Sequence, residues 1–281
     1  LKARNLVIEA RKIFQAAHDK HKSAWETFPK FIDKIEEPQR FAARSTAETR
    51  YILAQLDLAN CTYEEGQTWD QDSTEYAAKL RDAAQEYEDI HSKYRSMLGG
   101  LYARTWQGKC FEEQDDIDRA VGIYKELLGH PGTSAAMQRL QGQVLQFYLI
   151  CLNHDKKKDY QLVVDRATAW MKQARGRQKF SAIALGIKWE HILALESLSA
   201  DRTTDENDRK RNLASALGMV RDVKRFPGRY KDLAVFKERD LMVLLRGEGA
   251  LEDPEDFNTA FGLAQELVTK KTKEIDNKRK E

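Results

Sequence analysis

The stretch Leu101–Gly132, LYARTWQGKCFEEQDDIDRAVGIYKELLGHPG, constrains this chain more than any other. It sets a small residue at Gly108 and an aromatic at Phe111, then a second small residue at Ala120 followed by Tyr124, Leu127 and Pro131. That order predicts two short helices folded back on each other and closed by a proline. Residues three and four apart share a helix face, so Ala120, Tyr124 and Leu127 form one stripe. Gly108 and Ala120 are expected where the helices cross, because a larger side chain there would hold the backbones apart. The acidic run Glu112, Glu113, Asp115, Asp116 and Asp118 spans the turn. Carboxylates at a helix start meet the positive end of its dipole, and the run lacks the regular alternation and the glycine of a calcium loop. A capped helix start is the expectation.

The pattern returns along the chain. Gln141-Gly142 stands 34 residues after Gln107-Gly108, with Leu145 in the place of Phe111. Leu185-Gly186 is followed by Trp189, and Ala216, Val220, Val223 and Pro227 repeat the offsets of Ala120, Tyr124, Leu127 and Pro131. Upstream, Ala83, Tyr87 and Ile90 have the same spacing. A helix–turn–helix recurring at this period, with small residues at the crossing and aromatics beside them, resembles the tetratricopeptide repeat. The resemblance covers about 101–228. It implies an irregular α-solenoid of stacked antiparallel helix pairs, since no pair of this kind buries its own face alone.

The rest of the chain fits an all-α reading. Helices are expected from Lys2 to about His21, Pro38 to Gln67, Asp72 to Leu98, Tyr160 to Ala174, Phe180 to Leu198, Asp205 to Val223 and Tyr230 to Arg246. Trp25, Phe28, Phe31 and Ile32 are expected to tuck the looser segment after the first helix against it. Gly99-Gly100 is expected to break the chain as a helix C-cap, and Thr133 or Ser134 to cap the next helix. A turn through Gly247 and Gly249 should precede a last helix starting near Asp253-Pro254. Strand-type alternation is nearly absent, and the five prolines all fall at expected junctions, where they interrupt no helix. The expected organisation is long N-terminal helices over 1–98, repeat-like pairs over 99–228 and capping helices over 229–281, joined as one continuous unit.

Chemistry-bearing patterns are few. No phosphate loop, dinucleotide fingerprint, nucleophile elbow or zinc-protease motif occurs. Cys61, Cys110 and Cys151 lie far apart in apolar patterns, which excludes a disulfide framework and leans toward a reducing compartment. No segment has 18 uncharged apolar residues, so none is expected to span a membrane. The chain opens on Leu1, which leaves a leader or anchor, and with it an envelope location, undecided. Glu88 and His91 have the Glu-x-x-His spacing of di-metal bundles, without the second copy such centres need. The 47 basic and 45 acidic residues are well mixed. Short basic runs at 156–158, 172–179 and 221–231 border helix ends, where cations complement the dipole.

Function is therefore expected from the resemblance: a non-enzymatic scaffold or adaptor without cofactor, holding a protein or peptide on the concave face lined by the first helix of each pair. Carried over position by position, that face has Tyr102, Thr105, Lys109 and Glu112 in the first unit. Arg139, Gln143, Gln146 and Phe147 follow in the second, and Ile183, Ile187, Glu190 and His191 in the third. Thr105 and Lys109 stand where some members of the family place the Lys and Asn of a carboxylate clamp, so that clamp is not expected here. Tyr102, Phe147 and Ile187 could equally be ordinary packing residues. Two alternatives stay open: a helical-repeat nucleic-acid binder resting on the basic runs, and a metal-dependent helical enzyme resting on Glu88 and His91.

Overall fold

The structure is a computed structural model that describes residues 2–246, 261–262 and 264–269. Among these residues there is no strand. Through residue 246 ten α-helices follow in order: α1 (Lys2–Glu26), α2 (Pro38–Gly66), α3 (Thr74–Lys93), α4 (Leu98–Glu113), α5 (Ile117–Leu128), α6 (Ala135–Asn153), α7 (Tyr160–Gln173), α8 (Ala182–Ala200), α9 (Glu206–Lys224) and α10 (Arg229–Arg246). Residues 261–262 and 264–269 are helical as well. A short 3-10 turn, Gly176–Phe180, sits between α7 and α8. The expected Gly247–Gly249 turn and the helix start near Asp253-Pro254 lie outside the described residues.

Local chemistry sets the helix starts. The side chains of Ser73, Asp116, Ser134 and Asp205 accept hydrogen bonds from first-turn amides, and Pro38 opens α2. Each such cap contributes about 1 kcal/mol. The chain divides into two compact units, Leu1–Leu198 and Ser199–Glu281.

In the first unit each helix from α1 to α6 packs on the next, and α2 also meets α4, as α4 meets α6. Helices α2, α4 and α6 thus form one continuous layer with α3 and α5 packed outside it, a stack of neighbouring helix pairs. One core cluster joins α2, α3 and α4 around Leu80 and Tyr87, a second joins α4 to α8 around Tyr124, Tyr148 and Leu149, and Tyr102 and Phe111 of α4 pack against both. Burying each such side chain contributes roughly 1.5–3 kcal/mol. In the second unit α9 packs on α10, burying Ala216, Val220 and Val223 on one side and Ala234 and Leu241 on the other.

Glycines mark the closest approaches. A Cβ on Gly108 would stand 2.6 Å from the Tyr124 ring, and one on Gly142 3.2 Å from Ile183. Gly108 thus lies against the Tyr124 ring of α5, and Ala120 is fully buried on the same stripe. Gly99 and Gly100 differ from expectation: α3 ends at Lys93, and both glycines lie in the first turn of α4. They are needed for contact, since a Cβ would fall 2.5 Å from Ile52 at Gly99 and 2.0 Å from the Tyr94 carbonyl oxygen at Gly100. The segment after α1 also differs. Trp25 belongs to α1 and stacks on Tyr51 of α2, Ile32 is buried, and Phe31 is 81% exposed.

Candidate functional site

The positions carried over to the even-numbered layer separate into two environments. The first is a half-buried polar cluster at the end of α4. Lys109 Nζ lies 2.5 Å from Glu112 Oε1 and 3.4 Å from Glu113 Oε1. Around the two carboxylates, Tyr124 donates to Glu112 (3.0 Å), while Tyr63 (2.6 Å), Gln67 (2.5 Å) and Tyr76 (3.2 Å) donate to Glu113. The ring of Phe147 lies 5.4 Å from Lys109 Nζ, edge-on to Trp106, which packs in turn on Tyr63.

Burial disfavours the charge of Lys109, but the two carboxylates outweigh it and hold the ammonium above its ordinary pKa. Burial pushes Glu112 up, with Glu113 adding a like charge against the pull of Lys109. Burial likewise raises the Tyr63 and Tyr124 phenols, and Tyr76 is pushed up to about 12. These phenols stay protonated as donors at neutral pH. Glu112 and Glu113 thus belong to this cluster at the end of α4, whereas Asp116 alone of the acidic run caps α5.

Other expected face residues are also enclosed. Thr105 is buried and donates to the Leu101 carbonyl, and Phe147 is buried. Glu190 is buried, and its carboxylate and backbone carbonyl accept from Asn153 at 2.9 and 3.0 Å. His191 is buried with its Nδ1 unpartnered, and desolvation lowers its pKa to about 4. Tyr102, Gln143 and Gln146 are half-buried, and Gln146 fills the space a Cβ on Gly186 would take.

The second environment is open. Arg139 is exposed and lines a cavity of about 460 Å³ where the start of α6, the end of α7 and the start of α8 meet. Trp170 and Ile183 supply an apolar wall, and the 3-10 turn brings in Arg177 and Gln178. Gly176, with φ at +51°, opens that turn in a conformation that favours glycine. No Asp or Glu lines the cavity, and among the described residues neither Arg139 nor Arg177 forms an ion pair. Sequence reasoning named Arg139 and marked the run containing Arg177, but nothing in the spacing brings the two to one cavity.

A third region holds Glu88 and His91. The Arg104 guanidinium donates to Glu88 at 3.0 Å and to Glu126 at 2.7 Å, bridging the two carboxylates. Burial works against the Glu88 charge, but Gln107 and Arg104 outweigh it and hold the carboxyl below its ordinary range. His91 is buried and its Nδ1 donates to the Gly100 carbonyl at 3.1 Å. Among the described residues no group of three or more His, Cys, Asp or Glu is arranged to hold a metal ion. The three cysteines are free and buried, and burial raises each thiol.

The basic residues at 156–158 and 221–225 are matched by nearby acids. Lys156, Lys157 and Lys158 pair with Asp115, Asp118 and Asp155, while Arg221 and Lys224 pair with Glu238 and Arg225 with Asp222. No helix among the described residues is long and apolar enough to cross a membrane. Comparison of the chain with protein-family models, with curated proteins and with solved structures gave no match.

Proposed function

We propose that the chain is a non-enzymatic interaction scaffold of the tetratricopeptide-like helical-repeat kind, holding a protein or peptide along its even-numbered helices. The observation that carries this reading is the continuous layer formed by α2, α4 and α6, which approach one another more closely than the outer helices do. Such a layer is the inner face of a helical-repeat stack, and stacks of this kind present extended inner surfaces to partners. Among the carried-over positions Arg139 is exposed, and Tyr102, Gln143 and Gln146 are half-buried outside the Lys109–Glu112 ion pair. The pairing of the basic runs at 156–158 and 221–225 with carboxylates weighs against an extended phosphate-backbone track.

The test is capture from native extract with the immobilised chain, comparing the parent with Arg139→Glu. A protein retained by the parent and lost from the variant is the expected result. Retention indifferent to Arg139→Glu, or recovery only of nuclease-sensitive nucleic acid, would contradict the reading.

A further inference from the structure

The cavity at the α6–α7–α8 junction is unusual for what its lining lacks. Two guanidiniums, from Arg139 and Arg177, stand in it without a carboxylate. Of the other cations lining cavities or clusters in the first unit, Arg104 is matched by Glu88 and Glu126 and Lys109 by Glu112 and Glu113, while Arg95 shares its cavity with Glu88 and Glu126. The start of α8 adds to the excess. The Ser181 hydroxyl accepts from the Ala184 amide, which leaves the amides of Ala182 and Ile183, both lining the cavity, without an acceptor among the described residues. Two exposed arginines, two free amides and the positive end of a 19-residue helix therefore border one space, with Trp170 in its wall.

We infer that this cavity is a site for a phosphate monoester, carried on a phosphorylated side chain of the partner; the inference rests on the reading of the chain as a protein-binding scaffold. The charge sets the class. Two unpaired guanidiniums and a helix N-terminus exceed what one carboxylate or one phosphodiester neutralises, while a phosphate monoester carries about −1.5 to −2 near neutral pH. Its terminal oxygens can take the paired N–H groups of an arginine and the free amides at a helix start. Trp170 and Ile183 give the carbon body of the phosphorylated side chain an apolar surface.

The test is a calorimetric titration of the full chain with phenyl phosphate and with phenyl sulfate. The two share ring and tetrahedral head, but the sulfate ester has a single charge. Phenyl phosphate is expected to bind about tenfold more tightly or better, and to lose that preference in the Arg139→Gln/Arg177→Gln variant, whose exposed positions leave folding intact by thermal melting. Equal affinity for both esters, or an unchanged preference in the double variant, would overturn the inference. Phosphatase treatment of the extract provides a second arm. Loss of an Arg139-dependent captured protein after treatment supports the inference, and undiminished capture overturns it while leaving the scaffold reading in place. Phenyl phosphate binding with no protein captured supports the dianion site and overturns the scaffold reading.

Discussion

Lys109 and Arg139 look alike in the sequence: each is a cation on the first helix of a repeat-like pair, close to a glycine at the crossing. The fold treats them in opposite ways. Lys109 is enclosed by Glu112, Glu113 and the Phe147 ring, and those carboxylates take further hydrogen bonds from α2, α3 and α5. Arg139, one pair further on, faces a cavity with no carboxylate to meet it. The difference teaches that charge on this layer serves two ends. In the centre it joins helices to one another, because a buried ammonium persists only with partners. At the α6–α8 junction it is left available, because nothing in the fold neutralises it.

This contrast can be broken at several points. The largest effect is expected from Glu113→Leu, which strips the acceptor from Tyr63, Tyr76 and Gln67 at once. At roughly 1–3 kcal/mol for each donor left unsatisfied, reduced by partial solvent access, urea denaturation should show a loss of about 2–4 kcal/mol.

The pH response of His191 comes next. Its folded pKa of about 4 lies below the ordinary 6.5, so the unfolded chain takes up a proton first as pH falls. Stability that is full above pH ~6.5 is therefore lost toward pH ~4, by up to about 3 kcal/mol at 1.36 kcal/mol per unit. Denaturation of the parent and His191→Leu at pH 7 and pH 4.5 should show the difference shifting in favour of the variant on acidification. A pH-independent difference would remove His191 from the account.

The two crossing glycines sharpen the same comparison. Gly108→Ala drives a methyl to 2.6 Å from the buried Tyr124 ring, whereas Gly142→Ala meets Ile183 at 3.2 Å beside the cavity. Thermal melts should show a cost of about 1–3 kcal/mol for the first and a smaller one for the second.

Much of the fold was legible before any coordinates. Apolar stripes such as Ala83–Tyr87–Ile90 and Ala216–Val220–Val223 are core stripes, because helical periodicity is a local signal that burial preserves. Gly99-Gly100 was misleading for a physical reason: glycine serves both caps and close contacts, and here the contact with Ile52 and Tyr94 decides. The polar cluster was not legible as a unit. Tyr63 and Glu113 are 50 residues apart and on different helices, and no spacing rule joins a phenol to a carboxylate across a stack. Of the α6–α8 cavity, Arg139 and the basic run with Arg177 each stood out singly. Their convergence depends on the Gly176 turn and on where α8 begins.

The most direct measurement is urea denaturation of Lys109→Met and Arg139→Met side by side with the parent. Removing Lys109 leaves two half-buried carboxylates without their cation, and about 2–3 kcal/mol should be lost, less than for a fully buried pair. Removing Arg139 breaks no ion pair, and stability should stay within about 0.5 kcal/mol of the parent. Similar losses in the two variants would contradict the division of this layer into a sealed cation and an available one.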